Sequence, residues 1–291
     1  MGDKTLGAKI KSESYFASVW NEFRKNKAAV LGMAILLAIV FVAVFADVLA
    51  PHDPYLQVYS EALQHPSSSH IFGTDEFGRD IFSRVLYGAR VSLLVGVVSV
   101  AIACVFGSLL GASAGYFGGA YDAMVMRCMD VLLAIPSLLL NLSIVAALGK
   151  SVFNMMLAVG VANIPRYCRI MRASVLQIKN TEYVDAARTS GASHMFIILR
   201  HIIPNCLAPI IVQATLSVGS AIIACAGLSF LGVGIPAPTP EWGAMLSNGK
   251  EFLRHNAYIT IFPGLAIMLT VLSLNLMGDG LRDAFDPKLR R

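Results

Sequence analysis

The sequence predicts an all-α integral membrane protein with six transmembrane helices and both termini in the cytoplasm. Three observations carry that reading. Of its 291 residues, 56% are hydrophobic and only 14% charged, with a mean hydropathy of +0.66, whereas a soluble domain carries about 25% charged residues. Six apolar stretches alternate with polar ones along the chain. With six spans, seventeen of the 23 lysines and arginines fall on the side that holds the termini and six on the other, and the positive-inside rule places the richer side in the cytoplasm. The net charge of +5 reflects that asymmetry. Basic and aromatic residues do not interleave as in a nucleic-acid reader, so lipid is an expected partner and nucleic acid is not.

Residues 1–27 read as a cytoplasmic amphipathic segment rather than a cleavable signal peptide, because the first apolar run is too long for one. Tyr15, Phe16, Val19, Trp20 and Phe23 recur at helical spacing, with Trp20 and Phe23 suited to the membrane interface. Span one occupies Ala28–Ala46 within residues 28–50, and Asp47 and the Pro51–Pro54 cluster end it. Residues 51–90 form an extracytoplasmic loop, in which Gly73-Thr74-Asp75 and Gly78-Arg79-Asp80 signal turns and a helix start. Residues 91–277 hold five further spans. The first of these, Val91–Ala114, carries Gly107, Gly111 and Gly115 on one face, a stripe that lets another helix approach closely.

The third span, Ala123–Leu148, contains Arg127 and Asp130 at i and i+3, placed to form a structural pair or to gate. Pro136 should kink or open it. Gly149-Lys150-Ser151 is not a Walker A loop, because Ile144 stands where its first glycine belongs and no strand precedes it. The fourth span, Val152–Ile164, is the weakest and leads into Arg166, Arg169 and Arg172, which face headgroups or a partner. Span five is Leu207–Leu231. The proline-rich segment after it ends at Trp242, a residue suited to anchor at the interface. Span six is Ala257–Met277, and residues 278–291 form a cytoplasmic tail. The five cysteines (Cys104, Cys128, Cys168, Cys206, Cys225) include no CxxC and read as reduced packing residues, so neither a disulfide nor a metal site is expected.

The most informative stretch is a polar island, residues 166–205, with two acids and six lysines and arginines between long apolar runs. A charge at the centre of a bilayer costs on the order of 3 kcal/mol, so the island lies in water. Glu182–Ser190 reads as a short amphipathic helix stopped by Gly191, and Ser193–Arg200 as a second one before Pro204. Such a protrusion is either a docking surface for a soluble partner or a solvated loop.

Asp185-Ala186-Ala187, then Gly191, then His201-Ile202-Ile203-Pro204 resembles the EAA motif of bacterial ABC importer permeases: Glu-Ala-Ala, three residues, Gly, nine residues, Ile-x-Leu-Pro. The departures are Asp185 for Glu, His201 for Ile and Ile203 for Leu. Three further stretches, Phe72–Arg84, Pro236–Gly243 and Asn275–Pro287, resemble the dipeptide/oligopeptide/nickel branch and its C-type subunit. The resemblance implies a type I importer permease fold in the bacterial cytoplasmic membrane, with span one peripheral. A second homologous permease subunit would complete the pore, two cytoplasmic ATPases would bind the islands, and an extracytoplasmic binding protein would deliver substrate. Glu182, Asp185, Ala186, Ala187 and Gly191 would carry the ATPase docking as a coupling helix. Loops 70–90 and 232–256 would meet the binding protein or the partner permease. The chain itself would be non-catalytic and bind no cofactor, with ATP and Mg²⁺ held by the ATPases.

The expected cargo is a di- or oligopeptide, with a nickel chelate or glutathione as the alternative. Two rival readings remain. A stand-alone ion-driven carrier would lean on Asp130, Asn141, Asn163 and Asn275, and a non-transporting scaffold would need no glycine-elbowed helix pair.

Overall fold

A computed structural model of the chain describes residues 15–286. The start of the amphipathic segment and the end of the tail from Pro287 lie outside the described residues. Among the described residues there is no strand, only one isolated bridge between Thr74 and Asp80.

Helix α1 (Tyr15–Lys25) and helix α2 (Lys27–Val44) are separated by Asn26, whose side chain caps α2 by accepting from the Ala29 amide at 3.1 Å. The amphipathic segment does not spend its apolar face on lipid alone. Phe23 and Val19 are buried with Ala29 and Ala284 in a cluster against the C-terminal helix, while Trp20 stays exposed and stacks on Phe23. Helix α2 buries Ala29, Gly32 and Ala43 and exposes Leu31, Leu37, Phe41 and Val44, as a peripheral span should. The short α3 (Ala46–Leu49) follows.

Helix α4 (Ile81–Phe117) is 37 residues long, so it rises about 55 Å at 1.5 Å per residue. It begins ten residues before the expected span because Asp80 caps it, accepting from the Ser83 amide at 2.7 Å. It ends at Gly118, whose φ of +68° suits glycine. The third span is broken rather than kinked: α5 (Gly119–Ala134) and α6 (Ser137–Leu148) meet at 90°. Ile135 takes extended backbone there (φ −90°, ψ 126°), the conformation that the ring of Pro136 imposes on its predecessor.

Helix α7 (Val152–Ile178) runs straight through the expected end of span four and carries Pro165 inside it. Then come α8 (Glu182–Thr189) and α9 (His194–Ile197), the latter continuing through a π-helical turn, Ile198–Ile202, and a 3₁₀ turn, Ile203–Cys206, into α10 (Leu207–Phe230). Helices α11 (Trp242–Gly249) and α12 (Tyr258–Phe285) complete the chain, and α12 extends helical structure past the expected end of span six.

Among the described residues, four helical stretches can cross a membrane by length and composition: Lys27–Val44, Ile81–Phe117, His194–Phe230 and Tyr258–Phe285. A fifth is added if the bent α5–α6 pair is one span. Helix α7, the fourth expected span, is not among them, because its apolar part gives way to Arg166, Arg169 and Arg172. Its shelter comes from protein instead. Met155, Ala158, Val159, Tyr167, Cys168 and Met171 are all buried. The glycine stripe of α4 lies directly against α7: a Cβ on Gly107 would sit 2.6 Å from the Tyr167 Cβ and 2.7 Å from the Ile164 carbonyl, and one on Gly111 would overlap the Cys168 backbone. Small residues replace the hydrophobic effect as the basis of association between helices in lipid. The main core lies between α4, α7 and α10, with Val95, Ala103, Tyr167, Ile202 and Leu228 at its centre.

Candidate functional site

The polar island forms a protrusion at the C-terminal end of α4. Helix α8 is fastened by one side: Val184 is fully buried in the main core and Ala187 is half-buried against it. Glu182, Tyr183, Asp185, Ala186 and Arg188 remain exposed on the other sides. Arg188 donates to Asp185 Oδ1 at 3.0 Å and lies 5.8 Å from the centroid of Tyr116, the penultimate residue of α4. The Tyr116 hydroxyl in turn meets His194 Nδ1 of α9 at 2.9 Å. Glu182 and Asp185 also sit in the first turn, where carboxylates complement the helix dipole.

Gly191 makes the elbow. Its φ is +78°, and nothing lies within 4 Å of where a Cβ would stand, so the residue is required by backbone conformation and not by space. Its amide donates to the Arg188 carbonyl at 3.1 Å. Ser193 then caps α9, accepting from the Phe196 amide at 3.3 Å. Around this polar surface Met195, Phe196 and Leu199 are at least half exposed, and Tyr183 is 42% exposed. The five residues expected to dock a partner therefore lie on one exposed helix and its elbow, Ala187 turned partly inward. Helix α9 runs through the π and 3₁₀ turns into α10, and Val184 is set in the main core, so α8 is joined to the bundle at both places.

The ionisable pair on the third span differs from expectation. Asp130 accepts from Arg169 Nη2 of α7 at 2.7 Å, and Arg127 is exposed. A second, closer pair stands beside it, in which Arg172 Nε and Nη2 each donate to Asp122 at 2.6 Å. Two arginines of α7 thus tie α7 to α5, and the fork of Arg172 on the Asp122 carboxylate makes that contact directional. Of the residues a stand-alone carrier would need, Asp130 is neutralised by Arg169, and Asn163 donates to the Val159 carbonyl one turn back.

At the other end of α4 the two long loops pack on each other. Asp75 accepts from Arg79 Nε at 2.6 Å, and Arg84 donates to the carbonyls of Pro54 at 2.8 Å and Pro238 at 3.4 Å. Burial pushes the Glu76 carboxyl beside them upward from its ordinary range. Two hydrogen bonds from Arg90 hold the exposed Asp47 carboxyl below its own. Trp242 is not an interfacial anchor: it is 2% exposed, donates from Nε1 to the Val85 carbonyl at 2.9 Å and packs over Gly88. Glu241, which sequence reasoning passed over, is buried as the cap of α11, accepting from the amides of Gly243 and Ala244 at 2.7 Å and from Ser229 at 3.0 Å. Its position after Pro240 and before a helix was the signal available. A cleft of about 250 Å³ lined by Arg79, Arg84, Lys150, Pro236 and Ser247 opens between the loops.

Comparison with known proteins shows the family. Residues 107–291 match the family described as binding-protein-dependent transport system inner membrane component, and residues 14–66 match the N-terminal TM domain of oligopeptide transport permease C. The chain is 46% identical over 277 residues to the dipeptide transport system permease protein DppC of Alkalihalophilus pseudofirmus, covering 95% of this chain and 91% of the relative. It is 48% identical to DppC of Escherichia coli K12 (94% and 93% covered) and 45% identical to the glutathione transport system permease protein GsiD of another E. coli strain (93% and 90%). A chain of the MetNI methionine ABC transporter, solved in inward-facing conformations, shares the fold with a TM-score of 0.57 at 18% identity, over 70% of this chain and 97% of that one.

Proposed function

This chain belongs to the binding-protein-dependent transport system inner membrane components, in the branch of the C-type dipeptide permease subunits, and from that premise we propose that it forms one half of the pathway of an ATP-driven dipeptide importer and couples to cytoplasmic ATPases through α8. It is an integral protein of the bacterial inner membrane. The observation that carries the coupling is the form of α8: a short helix pinned at Val184, presenting Glu182, Asp185 and Ala186 outward, and released by a left-handed glycine. Closure of two ATPases would move this helix and its counterpart on a second permease subunit, and the two halves would rock about the cavity between them. Both termini and the island lie in the cytoplasm in this reading, as the distribution of Lys and Arg supports. The outer loops then face the binding protein or the partner permease. ATP and Mg²⁺ belong to the ATPases.

A second cargo reading has one observation behind it. The glutathione permease is 45% identical, close to the 46–48% of the dipeptide permeases, and glutathione is itself a small peptide. The test of the whole proposal is purification of the tagged chain from gently solubilised membranes. An ATPase and a second permease should accompany it, and the chain stripped of them should hydrolyse no ATP. An intact chain that purifies alone, or that hydrolyses ATP by itself, contradicts the proposal.

A further inference from the structure

Three side chains from the segment between span one and α4 converge at the N-terminal end of α4, away from the α8 surface. His70 Nδ1 lies 2.9 Å from Asp80 Oδ1, and His52 Nδ1 lies 3.8 Å from the same oxygen. The two imidazoles are 4.7 Å apart between centroids, and one ligand atom from each residue fits within 4.8 Å of the others. His70 and Asp80 are buried. His52 is different: its side chain is 38% exposed, yet its Nδ1 is shut off from solvent and has no hydrogen-bond partner. A buried ring nitrogen without a partner is costly unless something occupies its lone pair.

We propose that His52, His70 and Asp80 bind a divalent first-row transition-metal ion, Zn²⁺ by ligand type. Two imidazoles and one carboxylate are a ligand set such ions accept, with a fourth position left to water. At metal–ligand distances of about 2.0–2.2 Å a tetrahedral site sets its ligands roughly 3.4 Å apart. The observed 2.9 and 3.8 Å to Asp80 bracket that value, and the three ligand atoms lie within 4.8 Å of one another, so the two rings must draw closer together to complete the site. Its surroundings hold the ligands in place. Asp80 Oδ2 is fixed by the Ser83 amide at 2.7 Å, which leaves Oδ1 aimed at both rings, and the His52 amide donates to the Ser83 hydroxyl at 3.2 Å. Glu61 Oε2 stands 3.4 Å from His70 Nε2. With Nδ1 on the metal, the His70 ring proton stands on Nε2, from which it can donate a hydrogen bond to Glu61, the usual support of a metal-bound histidine. The ion would staple the segment after span one and the loop around residue 70 to the first turn of α4.

The experiment is a Zn²⁺ titration of the full-length chain, purified in its complex through a tag free of histidine, stripped with chelator and read by competition with a chromophoric chelator. Co²⁺ absorption serves as a spectroscopic signature of the same site. One equivalent should bind per chain, with affinity weakened about tenfold or more in His52→Gln and in His70→Gln. His52→Gln changes a residue at the rim, so its elution profile and metal-free thermal midpoint should match the parent. If His70→Gln does not fold, His52→Gln decides alone. Undiminished Zn²⁺ affinity and an unchanged Co²⁺ spectrum in His52→Gln overturn the site, as does a parent chain that takes up no more Zn²⁺ than the His52→Gln/His70→Gln double variant.

Discussion

Gly191→Pro and Asp185→Lys are each expected to abolish uptake while leaving the chain inserted and at normal abundance in the membrane. Proline fixes φ near −65° and removes the amide that donates to Arg188, so it cannot occupy a position held at +78°. The elbow between α8 and α9 would open, and α8 would no longer stand where a partner meets it. Asp185→Lys acts differently. The residue is exposed, and its one ion pair is to Arg188 at 3.0 Å on the same helix. An exposed pair of that kind contributes at most about 1 kcal/mol, so folding is spared while the docking surface changes sign. Gly191→Asn is the informative control, since asparagine enters the left-handed region more readily than other residues; it should retain a substantial part of the activity. Uptake assays in cells, with the variant quantified by immunoblot, separate these outcomes. Normal uptake by either of the first two variants contradicts a docking role for α8.

The second large effect is expected at Gly111. Gly111→Leu should prevent α4 and α7 from packing and leave little folded protein after solubilisation. Its Cβ would meet the backbone of Cys168, and a backbone has no alternative rotamer to adopt. Overpacking of a well-packed site costs about 1–3 kcal/mol and sometimes more, and this contact belongs at the upper end because two neighbouring glycines, Gly107 and Gly115, lie in the same seam. Helix α7 is also the helix least able to stand in lipid, so losing its groove exposes Arg166, Arg169 and Arg172 to new surroundings. A parent-like thermal midpoint for the purified Gly111→Leu chain would show that the seam is not what holds α7.

Where local chemistry decides a feature, the sequence was sufficient. The every-fourth-residue glycines of α4, the stop at Gly191, the cap at Asp80 and the break at Pro136 each follow from one residue type in one conformation, and the structure carries all four. What escaped were contacts between distant segments. Arg172 and Asp122 are 50 positions apart, and Asp130 lies closer in sequence to Arg127 than to the Arg169 it pairs with. Periodicity identified α1 as amphipathic, but its apolar face is turned in part to α12, some 260 residues away, because Gly280 leaves room for Ala29 and Phe23. Trp242 read as an interfacial anchor by type, whereas a glycine at position 88 makes the slot that buries it. His52, His70 and Asp80 carry no recognisable ligand spacing, and only the folding of the long loop onto α4 brings them together.

Site-directed crosslinking from Ala186 tests the coupling role of α8 most directly. The five native cysteines would be replaced first, and Ala186→Cys would then be oxidised in membranes together with single cysteines on the candidate ATPase surface. Ala186 is exposed on α8, so it should give a permease–ATPase product whose yield changes with nucleotide, while Ser247→Cys at the opposite end of the bundle gives none. Crosslinking to the ATPase from Ser247 and not from Ala186 would contradict both the docking surface and the orientation of the chain.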